Sequence, residues 1–256
     1  MNKQPTNLDN LGFADIHCHM LPCIDDGAQT EQEMLRMAAI AQNSGTDVIC
    51  FTPHSGVYGR DLDPEHTKAT FARAVINLNK SFPNMRFYLG NELYYSCDIP
   101  HKLQNGTYFS LNNSRYVLVE FSPGADLFTI KNGIKFITMG GYTPILAHIE
   151  RYSAVYPNKD IIDNLKKMGA VIQVNCRHVA ERNLLGMYKC KALLKAGLVD
   201  IISSDCHNDG QRSPDMSACY KYLSDNYGQK FADTLMKINP RLVLANKKIV
   251  RTPSEH

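Results

Sequence analysis

At 256 residues and 44% hydrophobic content the chain is long enough to bury a full core, as one large domain or two small ones. A formal net charge of +3, with Lys and Arg dispersed, argues against a nucleic-acid partner. No apolar run reaches bilayer length and the first residues lack a signal-peptide core, so membrane insertion is not expected. Eight Cys without a CxxC pair read as reduced thiols, the state expected of a cytoplasmic protein.

Residues 1–11 read as a flexible extension, and 12–256 as a single domain. The stretch DIHCHMLPCIDDG, residues 15–27, opens as a strand that sets Asp15, His17 and His19 on one face and Ile16, Cys18 and Met20 on the other. A turn with a paired carboxylate follows. Residues 30–45 form a helix, with Thr30 and Glu33 as a capping box and Gly45 as its stop. DVICFTPH reads as one apolar run ending at His54, followed by the loop SGVYGRDLDP. A helix over 64–81 follows, with Pro83 just past its end.

The pattern then repeats. RFYLGNE ends at Glu92, RYVLVE at Glu120, TPILAH at His148, AVIQVN at Asn175, and VDIISSDCH at Asp205 and His207. Amphipathic helices are predicted over 126–139, 158–168 and 184–196, and two more over 214–227 and 228–237. Residues 96–113 read as a short helix and a loop. Seven β-rich runs alternating with helices argue for an α/β protein with a mostly parallel sheet, whose ligand site lies at the carboxyl ends of the strands.

Taken singly, a polar strand end is a turn or cap residue. Taken together, His17, His19, His54, Glu92, Glu120, His148, Asp205 and His207 gather five imidazoles and three carboxylates at one mouth. That is more than one ion needs. Such mixed donors suit Zn, Mn or Fe, and the count points to two or three ions sharing carboxylates.

The motifs DIHCHMLPCIDDG, FTPH, GNELYY, VEFSP, PILAHIERY, QVNCRHV and SSDCHNDGQR, in order and over nearly the whole chain, resemble the polymerase-and-histidinol-phosphatase (PHP) superfamily. Within it they are most similar to the bacterial metal-dependent tyrosine phosphatases of capsule and exopolysaccharide operons, the CpsB/CapC/YwqE type. The resemblance implies a distorted (β/α)7 barrel with three divalent ions, manganese foremost and iron or zinc possible. It places His17, His19, Glu92 and Asp205 on one ion. Glu92 bridges to a second held by Glu120 and His148, and Asp26, His54 and His207 hold the third. Asp25 is the near miss. The chain departs from the family pattern at Cys23, where glycine is usual, and at Ser55, where many members have a second histidine.

The same resemblance assigns the phosphoryl clamp to Arg151 and Arg212, and the residues support it. Three divalent ions against Asp26, Glu92, Glu120 and Asp205 leave a positive pocket that favours a phosphate dianion and an ionised water as nucleophile. Planar guanidiniums match phosphoryl oxygens in pairs. A tyrosyl leaving group, with a pKa of about 10, needs little protonation; Asp205 or a bound water is left open as proton donor. In the loop after His54, Arg60 or Tyr58 is a candidate substrate contact, and Tyr94 and Tyr95 a candidate aromatic flank. His178 reads as supporting the site without binding an ion, Asn175 as a hydrogen-bonding wall, and His66, His101 and His256 as surface.

The expected activity is hydrolysis of phosphotyrosine on a cognate bacterial tyrosine kinase by metal-bound hydroxide, in the control of polysaccharide synthesis. A homo-oligomer is compatible with the resemblance. Two other readings remain: a small-molecule phosphoesterase such as a histidinol-phosphate phosphatase, and a metal-bound regulatory module without catalysis. A thiol mechanism is the further rival, because Cys206 to Arg212 and Cys176 to Arg182 both spell C-x5-R. Two hits among eight Cys point to coincidence.

Overall fold

The computed structural model describes residues 11–155, 158–180 and 184–251. The expected N-terminal extension, apart from residue 11, and His256 and Arg182 lie outside the described residues. Among the described residues, nine parallel strand segments are interleaved with helices: β1 (Phe13–Cys18), β2 (Thr46–Phe51), β3 (His54–Ser55), β4 (Arg86–Leu89), β5 (Glu92–Tyr94), β6 (Tyr116–Glu120), β7 (Thr143–Leu146), β8 (Val171–Asn175) and β9 (Ile201–Ser203).

The two runs expected to end at His54 and Glu92 are each broken in two. β2 stops at Phe51 and β3 starts at His54; β4 stops at Leu89 and β5 starts at Glu92. Pro53 has no N–H for the ladder, so the chain kinks there. Gly90 turns against Leu111, whose side chain would lie 2.6 Å from a Cβ at that position. Each half pairs with the matching half, β2 with β4 and β3 with β5. Counted as kinked strands, the nine segments give the seven staves of a distorted (β/α)7 barrel. Its sheet orders are β1-β2-β4 and β3-β5-β6-β7-β8-β9.

The last stave returns to the first. Asp205 N–H donates to His17 O at 2.9 Å, and His19 N–H to Cys206 O at 2.9 Å, around a Cys18–Cys206 bridge. Ser204 N–H donates to Asp15 Oδ1 at 3.0 Å and its hydroxyl to Oδ2, so Asp15 serves this seam. Burial, only partly offset by those bonds, holds the Asp15 carboxyl above its ordinary range.

Helix ends follow local chemistry. For α1 (Glu31–Asn43), Thr30 Oγ1 accepts Glu33 N–H, while Glu33 takes the N–H of Gln29, so the capping box is displaced by one residue. α2 (Pro64–Ser81) is capped by Asp63 with proline in its first turn. The short α3 (Ile99–Gln104) comes next. α4 (Leu127–Met139) is capped by Asp126 and α5 (Lys159–Lys167) by Asn158. The short α6 (Cys176–Ala180) and α7 (Leu184–Lys195) follow.

Near the end of the chain, α8 (Ser217–Tyr227) starts later than expected. α9 (Gln229–Asp233) does not stop near Lys237: a π turn over Thr234–Ile238 leads into α10 (Asn239–Leu244). The wider turn and the first-turn position of Pro240 let helix pass a residue that ordinarily ends one. Among the described residues, no helix is long and apolar enough to cross a membrane.

Candidate metal centre

The turn after β1 folds back on itself: Ala28 N–H donates to His19 O at 2.9 Å, and Cys23 N–H to Ala28 O at 2.9 Å. Cys23 has φ 58, the left-handed region that favours glycine, which explains the residue usual there. This fold-back buries Asp25 beside His19 and leaves Asp26 at the rim. Asp25 Oδ2 accepts from His19 Nδ1 at 2.7 Å and from His54 N–H at 2.9 Å. Asp26 Oδ1 lies 3.6 Å from His54 Nε2 and 3.4 Å from His207 Nε2.

Glu92, fully buried, is the hub. Its Oε2 lies 3.0 Å from His17 Nε2, 3.2 Å from His19 Nε2 and 3.1 Å from His54 Nδ1. Its Oε1 lies 3.0 Å from His148 Nε2, which is also 3.3 Å from Glu120 Oε1. Asp205 Oδ1 completes the inner set, 3.4 Å from His17 Nε2 and 3.6 Å from His19 Nε2.

Three groups of donor atoms therefore converge: His17, His19, Glu92 and Asp205; His19, Asp26, His54 and His207; and His54, Glu92 and Glu120. The first is the expected inner quartet. The second is the expected Asp26–His54–His207 set with His19 added. The third differs from expectation, pairing the two glutamates with His54, while His148 touches both carboxylates without joining that group.

The donor atoms fit a cation. His17 Nε2, His19 Nε2, His54 Nδ1 and Glu92 Oε2 are all buried without a hydrogen-bond partner, although each faces another of the set. Lone pairs opposed at about 3 Å are costly unless positive charge sits between them. Protons are the alternative source of that charge. Burial alone would lower the His17 and His19 imidazoles, but Glu92 and Asp205 around His17, and Asp25 and Glu92 around His19, hold both above their ordinary range. Burial likewise opposes ionisation of Asp205, yet His17, His19 and Arg151 keep its carboxyl well below the usual range. Asp205 is therefore an acceptor and not a proton donor near neutrality.

Both predicted arginines reach that acceptor. Arg151 Nη2 donates to Asp205 Oδ2 at 2.8 Å and Arg212 Nη2 to Oδ1 at 3.0 Å, with both side chains about one-third exposed. They line a groove of about 820 Å³ together with Asp26, His54, Glu120 and His207. Tyr58, Arg60, Tyr94 and Pro123 form part of its wall. Tyr95 instead stacks on Phe121 at 4.5 Å. Ser55 is buried and its hydroxyl accepts Leu62 N–H at 3.1 Å, so it ties down the loop that carries Tyr58 and Arg60.

The Cys206 thiol lies with Cys18, Met20, Leu21 and Phe51 in an apolar cluster, so the C-x5-R loop has no exposed nucleophile. His178 Nδ1 is 2.6 Å from Glu150 Oε1, a buried carboxylate that also accepts Asn175 N–H. Asn175 Nδ2 donates to Asp205 Oδ2 at 2.6 Å. Supporting contacts absent from the sequence reading are those of Asp15, Asp25, Glu150 and Gln173. The one visible signal was a lone Gln inside the apolar run AVIQVN.

The family model described as capsular polysaccharide synthesis, CpsB/CapC, matches residues 13–245. The chain belongs to that family. It is 32% identical over 241 residues to the tyrosine-protein phosphatase CpsB of Streptococcus pneumoniae, covering 92% of this chain and 99% of the relative. It is 29% identical over 251 residues to the tyrosine-protein phosphatase YwqE of Bacillus subtilis strain 168, covering 94% and 95%. Among solved structures it superposes with a TM-score of 0.85 and 27% identity, over 94% of this chain and 97% of the other. That structure belongs to work on YwqE from Bacillus subtilis and CpsB from Streptococcus pneumoniae, described as metal-dependent tyrosine phosphatases.

Proposed function

We propose that this protein is a metal-dependent protein-tyrosine phosphatase acting on a cognate bacterial tyrosine kinase in capsular or exopolysaccharide synthesis. The observation that carries the reading is the pair Arg151 and Arg212, both seated on Asp205 at the edge of a buried cluster of unpartnered imidazole and carboxylate atoms. His17, His19, Glu92 and Asp205 would hold one divalent ion, Glu92, Glu120 and His148 a second, and Asp26, His54 and His207 a third. Manganese is the first choice; iron and zinc accept the same donors. When bound, the ions supply Lewis acidity and ionise a water near neutral pH.

The protein's own groups do the rest. Arg151 and Arg212 present planar N–H pairs to the phosphoryl oxygens. Asp205 holds both guanidiniums at the groove before substrate arrives. Arg60, Tyr58 and Tyr94 line the approach, where a phosphotyrosyl ring would lie. The phenolate leaves with little need of a proton, which suits a site where Asp205, held by both arginines, is already ionised. A cytoplasmic setting is supported by eight free thiols.

The test is a metal-replete preparation assayed on a phosphotyrosine peptide and on histidinol phosphate in parallel. Preference for the peptide supports the assignment. Preference for histidinol phosphate selects the small-molecule phosphoesterase, and no phosphate release at any metal load selects a regulatory module.

A further inference from the structure

Strand β8 offers no donor to any of the three converging groups, yet it places Gln173 and Asn175, two residues apart on one face, deep in the barrel. Both are buried. Gln173 Oε1 lies 2.7 Å from the backbone nitrogen of His148 and 3.4 Å from His17 Nδ1. Gln173 Nε2 lies 2.8 Å from Val174 O and 2.9 Å from Asn175 Oδ1. Asn175 Nδ2 then lies 2.6 Å from Asp205 Oδ2.

The amide orientations in this hydrogen-bonded series follow from their backbone partners. A backbone N–H only donates, so the Gln173 atom facing His148 is oxygen; a backbone carbonyl only accepts, so the atom facing Val174 is nitrogen. The Gln173 oxygen therefore accepts from His17 Nδ1–H. That leaves the lone pair of His17 on Nε2, the atom 3.0 Å from Glu92 Oε2 and 3.4 Å from Asp205 Oδ1. At the far end, Asn175 engages Oδ2 of Asp205 and turns Oδ1 to the same point. The same Gln173 oxygen secures the N–H of His148, whose φ of 33 lies in a region that L side chains rarely adopt.

We propose that Gln173, relayed by Asn175, is a positioning residue that fixes His17 as the Nδ1–H tautomer and orients Asp205, so that both direct lone pairs at one divalent cation. The proposal rests on the metal-dependent reading above. Its geometry explains why a strand with no candidate ligand carries two buried amides facing the centre. A hydrogen bond to the distal nitrogen of a ligating imidazole sets both tautomer and ring orientation.

The experiment uses the full chain labelled with 15N-histidine, loaded with zinc as a diamagnetic probe. Long-range proton–nitrogen correlation reads the His17 tautomer, and calorimetry reads zinc affinity. Wild type is expected to show His17 protonated at Nδ1 and coordinated through Nε2. Gln173→Met, of similar length without polar ends, is expected to lose that single tautomer and to bind its tightest zinc about 10- to 100-fold more weakly. Gln173→Glu keeps an acceptor against both N–H groups and is expected to retain the tautomer.

Wild-type coordination through Nδ1 of His17 overturns the proposal and needs no variant to fold. Unchanged tautomer and zinc affinity in Gln173→Met overturn it as well. A wild-type protein that takes up no zinc, manganese or iron overturns the metal reading itself, and the proposal with it.

Discussion

Arg151 Nη2 donates to Asp205 Oδ2 at 2.8 Å, an ion pair between the proposed clamp residue and a candidate donor of the innermost group. The carboxylate thus holds the guanidinium at the groove while its other oxygen faces His17 and His19. Removing the clamp should act on turnover more than on folding. Arg151→Ala is expected to lower kcat/KM for a phosphotyrosine peptide by about 10²- to 10³-fold, the usual worth of one preorganised charge-stabilising group. Arg151→Lys should recover only part of this, because an ammonium cannot make the paired planar contact. Steady-state kinetics on both variants checks the order.

Cys206 stands between two candidate ligands but its thiol packs in an apolar cluster. Cys206→Ala should therefore keep activity near wild type while losing about 1 kcal/mol of stability to a small cavity. A chelator should abolish the activity of both proteins. Phosphatase assays with and without chelator, paired with urea denaturation, separate this from thiol chemistry, which predicts an inactive variant and an indifferent chelator.

Gly27 lies so close to His19 that an added Cβ would meet the His19 carbonyl oxygen at 1.8 Å and its Cβ at 2.6 Å. The neighbour is backbone and cannot swing away. Gly27→Ala is expected to cost about 2–3 kcal/mol by overpacking and to shift His19, weakening metal uptake with it. Thermal melting and metal content of the purified variant read the two effects; a normal melt with full metal content would refute the close-approach argument.

Tyr108 ties the groove-side loop to the body of the protein: its hydroxyl donates to Asp61 Oδ1 at 2.6 Å, and Lys102 reaches Asp61 Oδ2 at 2.9 Å. Burial, with Asp61 adding to it, pushes the Tyr108 hydroxyl up to about 12. The folded state thus holds this proton more tightly than an unfolded chain, where tyrosine titrates near 10. Its contribution is present in full below about pH 10 and is lost as pH rises towards about 12. Tyr108→Phe should flatten that part of the stability–pH curve, measured by urea denaturation across the alkaline range.

Helix ends were legible where their signals are local. Asp63 before Pro64, Asp126 before Leu127 and Asn158 before Lys159 each cap the helix they precede, because the side chain bonds an N–H two or three residues on. The barrel breaks were not. DVICFTPH is continuous in hydrophobicity, and only Pro53 marked where the ladder stops.

The candidate ligands could be read because all but Asp26, which sits in the turn after β1, close an apolar run of the sequence, even where the kinks make His54 and Glu92 open β3 and β5. Of the residues supporting them, Asn175 and His178 were legible from their place near a strand end, while Asp15 and Gln173 were not. Gln173 meets partners 25 and 156 positions away, and Asp15 meets Ser204 189 positions away. Separations of that size leave no trace in local periodicity. His54 and Glu92 open β3 and β5 and are register partners there, a pairing that becomes visible only once the breaks before them are known.

The seam between β1 and β9 has a consequence for how the protein comes into being. His17 is supplied by the first stave and Asp205 by the last, so the inner group exists only after the two ends of the barrel meet. During synthesis a chain that has not yet released residue 205 has three of those four donors and no closed cavity. The innermost ion would thus enter only a completed barrel, as a latch on it, and a chain truncated before residue 205 is expected to stay inactive regardless of how much metal surrounds it.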